Sequence, residues 1–323
     1  MDESSPAPQE RVLIWDQIDA NKWRTFLLIG SFVLLTALFF GSVGTVIALY
    51  AGVDPEVDLT LTLQIAGVTG LIATAVGVIM YYSATAAVLS ISGGHKVTIR
   101  QEPELYRVVE NLSIGSGLPM PTVWVIEDSA PNAFAAGRDP ERAHVAVTRG
   151  LLDKLEKREL EAVMAHEMSH IGNYDIRIMT TAAVVVGLMA LLADVMLRFT
   201  WYGAGGRRSN RGKGGGMVAL AILAIAIFFI VLSPFIASAL RFAVSRQREF
   251  LADASGALLC RNPDALADAL EKIAADPEPL EVANKATAHL YIENPLKEHK
   301  SFLNGLFATH PPVGERIKLL RAM

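Results

Sequence analysis

Four long apolar stretches alternate with polar segments along the chain, and they cover residues 25–50, 59–91, 178–199 and 217–242. Each is at least as long as the ~20 residues that an α-helix needs to cross the hydrocarbon core of a bilayer. A short acidic turn separates the first two stretches, and a connector rich in Gly, Arg and Lys separates the last two. The pattern therefore predicts about four transmembrane helices, paired as hairpins over residues 25–91 and 178–242.

The composition supports a membrane protein. Hydrophobic residues make up 52% of the chain and charged residues only 19%, whereas soluble domains are nearer one quarter charged. The formal net charge of −4 comes without a dense basic stripe, so nucleic acid is not an expected partner. Cys260 is the single cysteine, which excludes an intramolecular disulfide framework.

Basic residues around the first hairpin predict its orientation. They flank it on both sides, at Lys22, Arg24, Lys96 and Arg100. Because cytoplasmic loops carry the excess of Lys and Arg, both ends of this hairpin are expected in the cytoplasm, together with a tail formed by residues 1–24. The basic connector at residues 207–216 lies outside the cell if the second hairpin spans. We favour spanning, because later loops weigh less in setting topology.

The segments over residues 92–177 and 243–323 have the pattern of a water-facing domain. In the first segment, short β-branched and apolar runs predict strands at residues 96–99, 122–126 and 143–148, an edge strand at 132–135, and helices at 104–113 and from 157 onward. The second segment reads as largely helical. Because neither segment alone contains a complete site, we expect one mostly helical α+β domain, interrupted by the second hairpin.

An HExxH motif occurs on the helix predicted from residue 157 onward, with His166, Glu167 and His170 as its three defining residues. Residues four apart lie on one face of a helix, so both imidazoles can reach one metal ion. Two neutral nitrogens suit Zn²⁺, and a neighbouring carboxylate can take the proton of a water that the metal acidifies. The pentapeptide also occurs by chance on surface helices, so it does not decide the function alone.

A candidate third ligand follows the fourth apolar stretch. Glu249 and Asp253 are four residues apart, and Arg246 precedes Glu249 by three, so all three share a helix face. Glu249 could complete the ligand set, while Asp253 could hydrogen-bond the outer nitrogen of a ligating histidine and fix its ring. An ordinary solvated face with intrahelical ion pairs has the same spacing, and spacing leaves both interpretations open.

Several motifs in the same order resemble those of the HtpX family of membrane-bound zinc endopeptidases. They are the HExxH residues 166–170, the stretch from Ser245 to Asp253, Asn132 to Ala135, and Thr309-His310-Pro311-Pro312. The sequence is more distantly similar to the CAAX prenyl endopeptidases. The resemblance covers most of the chain, including the four apolar stretches.

This resemblance implies a zincin-like catalytic domain of the gluzincin type with one Zn²⁺ per chain. It implies zinc ligands at His166, His170 and Glu249, a general base at Glu167, and a substrate-pairing strand formed by Asn132, Ala133, Phe134 and Ala135. It places His310 near the metal, where it would stabilise the oxyanion of the reaction, with Arg316 orienting it. Asp253 and Arg246 would support the ligands.

The resemblance also implies a biological role. The expected protein is a multi-pass enzyme of the cell membrane whose active site faces the cytoplasm, and whose partners are the lipid bilayer and polypeptide substrates, among them misfolded or damaged proteins. Two alternatives remain open. One is a prenyl-protein endopeptidase, although two apolar hairpins are fewer than that group typically has. The other is a non-catalytic membrane scaffold or chaperone that retains a zinc site.

Overall fold

Two long antiparallel helices open the structure, a computed structural model that describes residues 14–50, 55–188, 246–284, 286–296 and 311–323. They are α1 (Ile14–Tyr50) and α2 (Pro55–Ile91). Helix α1 begins well before residue 25, so part of the expected tail belongs to the helix. Among the described residues, one helical stretch, Leu59–Ile91, is long and apolar enough to cross a membrane.

Small residues on α2 let it approach α1 closely. A Cβ added at Gly70 would lie 3.5 Å from the Cβ of Ala37, and one added at Gly77 would lie 3.2 Å from Cγ2 of Ile29. A Cβ at Gly70 would make an ordinary contact, whereas one at Gly77 would be tight, so the glycine at position 77 allows the closer approach, as small residues do in many membrane helix pairs. Large apolar side chains point away from this contact, including Leu71, which is 74% exposed.

The remaining described helices are shorter: α3 (Pro103–Ser116), α4 (Arg149–Lys154), α5 (Lys157–Gly172), α6 (described over 175–188), α7 (Arg246–Cys260), α8 (Pro263–Ala275) and α9 (Val313–Leu320). A reciprocal capping box between Glu156 and Glu159 starts α5 by satisfying backbone N–H groups that the first turn leaves unpaired. Asn262 caps α8 in a similar way, since its side chain accepts a hydrogen bond from the Ala265 amide.

A four-stranded sheet supports these helices in the order β1-β2-β4-β3. Its strands are β1 (His95–Lys96), β2 (Thr122–Ile126), β3 (Ala133–Gly137) and β4 (Ala143–Thr148). Strands β2 and β4 are parallel and have the bounds that the sequence predicts, whereas β1 is shorter than the expected 96–99. The first strand is at an edge and pairs with β2 over only two residues.

Both faces of the sheet are buried. Val123, Val145 and other residues on one face pack into the core formed with α3, α5 and α8. Ile126, Phe134 and Ala146 on the other face pack against α2 and α6. Side chains alternate between the two faces of a strand, so β3 can be buried along its whole length while joining two cores. The sheet thus connects the hairpin of α1 and α2 to α5, the helix that carries the HExxH motif.

The two water-facing segments form one mostly helical α+β unit, because α5 of the first packs against α7 and α8 of the second. Helix α6 covers the beginning of the predicted stretch 178–199 and is buried against the sheet through residues such as Ile178 and Ala182. Residues 189–245 lie outside the described residues. The expectation of a second spanning hairpin, and of four membrane helices in total, therefore stays a prediction.

Candidate metal centre

Helix α5 presents His166 and His170 from successive turns of one face. Their Nε2 atoms are 3.2 Å apart and their rings meet nearly at right angles, at 89°. Both side chains are buried. Two imidazole nitrogens that bind one tetrahedral ion at about 2.0–2.1 Å must be roughly 3.3 Å apart, so the observed separation suits a shared metal ion.

Helix α7 brings Glu249 to the same point. Its two carboxylate oxygens lie 3.9 Å from His166 Nε2 and 3.7 Å from His170 Nε2. One ligand atom from each of the three buried residues lies within 4.8 Å of the others. The structure therefore brings the three sequence-predicted ligands together, although Glu249 follows the histidines by some eighty positions and by the whole second apolar pair.

The outer nitrogen of His166 faces a carboxylate. Its Nδ1 lies 2.9 Å from Oδ1 of Asp253, and the guanidinium of Arg316 holds that carboxylate through two hydrogen bonds of 2.8 and 2.7 Å. Arg316 is fully buried and donates a third hydrogen bond, of 2.8 Å, to the carbonyl of Ile292. Burial alone would raise the pKa of Asp253, but the charge and hydrogen bonds of Arg316 outweigh it and lower the pKa to about 2.

The outer nitrogen of His170 also faces a carboxylate, that of Asp175, with 3.0 Å between Nδ1 and Oδ2. Tyr174 makes this possible, because its φ of 59° turns the chain sharply after α5 and returns Asp175 toward the helix. Burial lowers the pKa of His170, but the hydrogen bond to Asp175 and the charge of Glu249 outweigh it and raise the pKa to about 9. With both Nδ1 atoms facing acids, the two Nε2 atoms face the shared site, and a metal bound there would displace the Nε2 proton of His170.

Glu167 is buried beside the ligands, with 1% of its surface exposed. Burial raises the pKa of its carboxyl group to about 7, while the charge of His170 and a backbone hydrogen bond from Ala135 act in the opposite direction. A carboxyl group poised near neutral pH can both accept and return a proton, which is the property of a general base that later acts as an acid.

Strand β3 is the sheet edge nearest this carboxyl group. At its beginning, the Ala133 carbonyl already accepts a hydrogen bond of 3.0 Å from the Ile292 amide, and the side chain of Asn132 donates to the Glu293 carbonyl at 3.1 Å. At its end, the Gly137 amide donates to Oγ1 of Thr180 at 3.1 Å. The stretch near Ala135 is therefore the part of β3 that lies between these two internal contacts.

One expected supporting residue, Arg246, differs from the prediction, and His310 lies outside the described residues. Arg246 is exposed, and Arg248 is the buried arginine, with its Nε 3.5 Å from Oδ1 of Asp175. Arg246 therefore lies on the solvent side of α7, whereas Arg248 lies on the buried side. Arg316 contacts Asp253, and its expected role beside His310 stays a prediction, because His310 is among the undescribed residues.

Sequence reasoning missed Asp175 and Asn21. Asp175 follows the HExxH helix closely, so a search for acids shortly after the motif could have found it. Asn21 lies in α1, and its side-chain amide donates hydrogen bonds of 2.8 Å to Asp175 and 3.1 Å to the Asn173 carbonyl. No local spacing could have indicated that contact, because it joins residues 152 positions or more apart.

Comparison with known proteins gives consistent matches. Residues 99–323 match the model of peptidase family M48. The chain is 42% identical over 309 residues to a protein named protease HtpX homolog from Dictyoglomus turgidum, covering 96% of this chain and 94% of that protein. A protein of the same name from Listeria monocytogenes is 40% identical over 316 residues, covering 96% of this chain and 100% of that protein.

One solved structure, described as Saccharomyces mikatae Ste24p, aligns with 95% of this chain and 66% of its own, at a TM-score of 0.46 and 18% identity. A score at that level does not establish a common fold, so the assignment rests on the sequence matches. These cover the whole catalytic domain and nearly the full length of the relatives. The chain therefore belongs to peptidase family M48 and is a metalloprotease of the HtpX type.

Proposed function

We propose that this membrane metalloprotease is a zinc-dependent endopeptidase that hydrolyses peptide bonds of misfolded or damaged membrane proteins. The observation that carries the proposal is the convergence of His166, His170 and Glu249 beside the buried carboxyl group of Glu167. Two imidazoles and one carboxylate, with room left for a water, are the ligands of hydrolytic zinc sites. Mg²⁺ and Ca²⁺ prefer sites made of oxygen atoms alone, so zinc is the metal that this set favours.

Zinc at this site would supply Lewis-acid chemistry, polarising the scissile carbonyl and lowering the pKa of a water. Glu167 then takes the proton of the attacking water at its carboxylate. The same group returns the proton to the nitrogen of the leaving amine, which completes hydrolysis with no net change in Glu167. Asp253 and Asp175 keep the two histidine rings oriented throughout, because each holds an Nδ1 atom.

We propose that an extended substrate pairs with the edge of β3, in the manner of β-strand addition. The expected strand is Asn132, Ala133, Phe134 and Ala135, but the Ala133 carbonyl already accepts a hydrogen bond from the Ile292 amide, so the proposed pairing begins near Ala135. Support comes from the backbone hydrogen bond between Ala135 and the Glu167 carboxyl group, which puts the strand next to the proposed base. His310 stays the proposed oxyanion-stabilising residue.

The proposed location is the cell membrane, with two hairpins and an active site on the cytoplasmic side. Asn21, near the start of α1, contacts Asp175 of the site, and β1 follows directly after α2. The site therefore lies at the end of the first hairpin where the flanking basic residues cluster. Because such clusters mark cytoplasmic ends, the positive charges support a cytoplasmic site.

The experiment that tests this function is digestion of an unfolded protein by the full-length chain in detergent. We expect β-casein to be cleaved, cleavage to stop with 1,10-phenanthroline, and zinc but not magnesium to restore it. A farnesylated C-terminal peptide in parallel separates the prenyl-protein alternative, since preferred cleavage of that peptide would favour it. Bound zinc without cleavage of any unfolded substrate would favour the scaffold alternative.

A further inference from the structure

A side chain of the first membrane helix is part of the support of the metal centre. Asn21 of α1 is buried, with 1% of its surface exposed. Its amide nitrogen donates hydrogen bonds of 2.8 Å to Oδ1 of Asp175 and 3.1 Å to the carbonyl of Asn173. Both N–H groups of that amide thus engage the short turn that follows the HExxH helix.

The acceptor of the first bond is the carboxylate that orients His170. Asp175 is fully buried, and its two oxygens are used differently. Oδ2 faces Nδ1 of His170 at 3.0 Å, while Oδ1 accepts from Asn21 and lies 3.5 Å from Nε of Arg248. A carboxylate fixed at one oxygen can hold its other oxygen, and hence the imidazole it touches, in one orientation.

The two histidines are therefore supported from different parts of the protein. Asp253, which faces His166, is held by Arg316 of α9, within the catalytic domain. Asp175, which faces His170, is held by Asn21 of the membrane hairpin. Among the described residues, removing the amide would leave Oδ1 of Asp175 with the longer contact to Arg248. The geometry of His170 therefore depends on how α1 docks.

We propose that Asn21 is a positioning residue that acts through Asp175 on His170, so that metal binding in the catalytic domain depends on the first membrane helix. This inference rests on the zinc site proposed above. Helix α1 would then also support the metal centre, because a change in its docking would reach the ligand His170 through the hydrogen bonds from Asn21 to Asp175 and from Asp175 to His170.

The test is the zinc dissociation constant of full-length variants in detergent, measured by competition with a chromogenic chelator. Asn21→Leu keeps the branching at Cγ but removes the donor, and Asn21→Asp keeps the shape but places a carboxylate against Asp175. We expect each to weaken zinc binding by about 10-fold or more, within the roughly 10–100-fold range for residues that orient metal ligands. The two variants are independent, so one suffices if the other fails to fold.

The matched control is Thr25→Val. Thr25 is buried one turn along the same helix, and its hydroxyl donates to the Asn21 carbonyl within α1, at 2.9 Å. We expect this variant to bind zinc as the parent does, which separates positioning from general packing of α1. If Thr25→Val weakens zinc binding as much as the Asn21 variants, the role is structural and the inference is wrong.

A double-variant cycle decides whether Asn21 acts through Asp175. In an Asp175→Ala background, Asn21→Leu should cause little further loss, since the acceptor that Asn21 holds is gone. Additive losses would overturn the inference, as would parent-like zinc affinity in both Asn21 variants. A parent protein that binds no zinc would instead overturn the proposed function itself, so the two failures are distinguishable.

Discussion

Gly256 of α7 lies directly against the backbone of His166, so closely that a Cβ added there would stand 2.8 Å from the His166 amide nitrogen and 2.9 Å from its Cα. Helices α5 and α7 carry all three proposed metal ligands, and this glycine sets their separation. Real side chains essentially never approach backbone atoms to that distance, and the backbone of α5 cannot yield as the end of a flexible side chain could.

We therefore expect Gly256→Ala to push α7 away from α5 and to spread Glu249 from the histidines. The free energy of unfolding should fall by about 1–3 kcal/mol, as for other overpacked positions, and zinc affinity should fall with it. Gly115→Ala is the control, because its Cβ would meet only Leu259 at 3.7 Å, an ordinary contact. If thermal melts and zinc titrations gave the same melting temperature and zinc affinity for the two variants, Gly256 would not set the separation of α5 and α7.

The Arg316–Asp253 pair gives a second prediction. Replacing Arg316 with Met leaves a buried carboxylate without its main partner, so we expect a loss of about 3–5 kcal/mol in the free energy of unfolding. Arg321→Ala, just after the same helix, removes only exposed ion pairs with Asp264, Asp268 and Glu271. Such pairs contribute little to stability, because solvent and salt screen them. If the free energy of unfolding fell equally in the two variants, the buried pair would contribute no more to stability than the exposed pairs.

Metal removal gives a third prediction. A ligand that binds only the folded state stabilises it, by about 2.7 kcal/mol when its concentration is 100 times the dissociation constant. Dialysis against a chelator should therefore lower the melting temperature of the protein in detergent, and stoichiometric zinc should restore it. Magnesium should not, because the proposed ligands include two imidazoles. A melting temperature unaffected by chelation and by zinc would contradict a metal centre built from His166, His170 and Glu249.

The membrane arrangement can be tested by labelling single cysteines. In a Cys260→Ser background, Glu110→Cys reports on an exposed position of the catalytic domain, and Lys213→Cys reports on the connector of the second apolar pair. If that hairpin spans, an impermeant maleimide added to intact cells should label position 213 and leave position 110 unlabelled until the membrane is opened. Protection of both positions would mean that the second hairpin does not cross.

Much of the fold follows from local patterns. The strands at residues 122–126 and 143–148 were predictable because each is a short run of β-branched and apolar residues, and periodicity of that kind is a local property. The i, i+4 spacing of His166 with His170 and of Glu249 with Asp253 likewise indicates shared helix faces. Spacing alone left open whether Glu249 is a ligand, and the order of the motifs along the chain, through the family resemblance, indicated the full ligand set.

The site residues that the sequence does not predict depend on contacts between distant elements. Asp175 reaches His170 only because Tyr174 adopts a left-handed backbone conformation. Tyrosine rarely adopts that conformation, so the sequence does not predict the turn. Asn21 reaches Asp175 only because α1 docks on the catalytic domain. Spacing on α7 placed Arg246 near Glu249, whereas the tertiary packing selects Arg248. Helix periodicity gives a face but not the partner that the face meets.

We propose that Glu167 acts as the base of a zinc peptidase whose ligands are His166, His170 and Glu249. This role is tested by comparing bound zinc and β-casein cleavage between the parent and Glu167→Gln, which has the same shape but cannot take a proton. We expect about one zinc per chain in both proteins and cleavage slower by roughly 10²–10⁴-fold in the variant. A zinc-loaded Glu167→Gln protein that cleaves casein as fast as the parent would contradict this role.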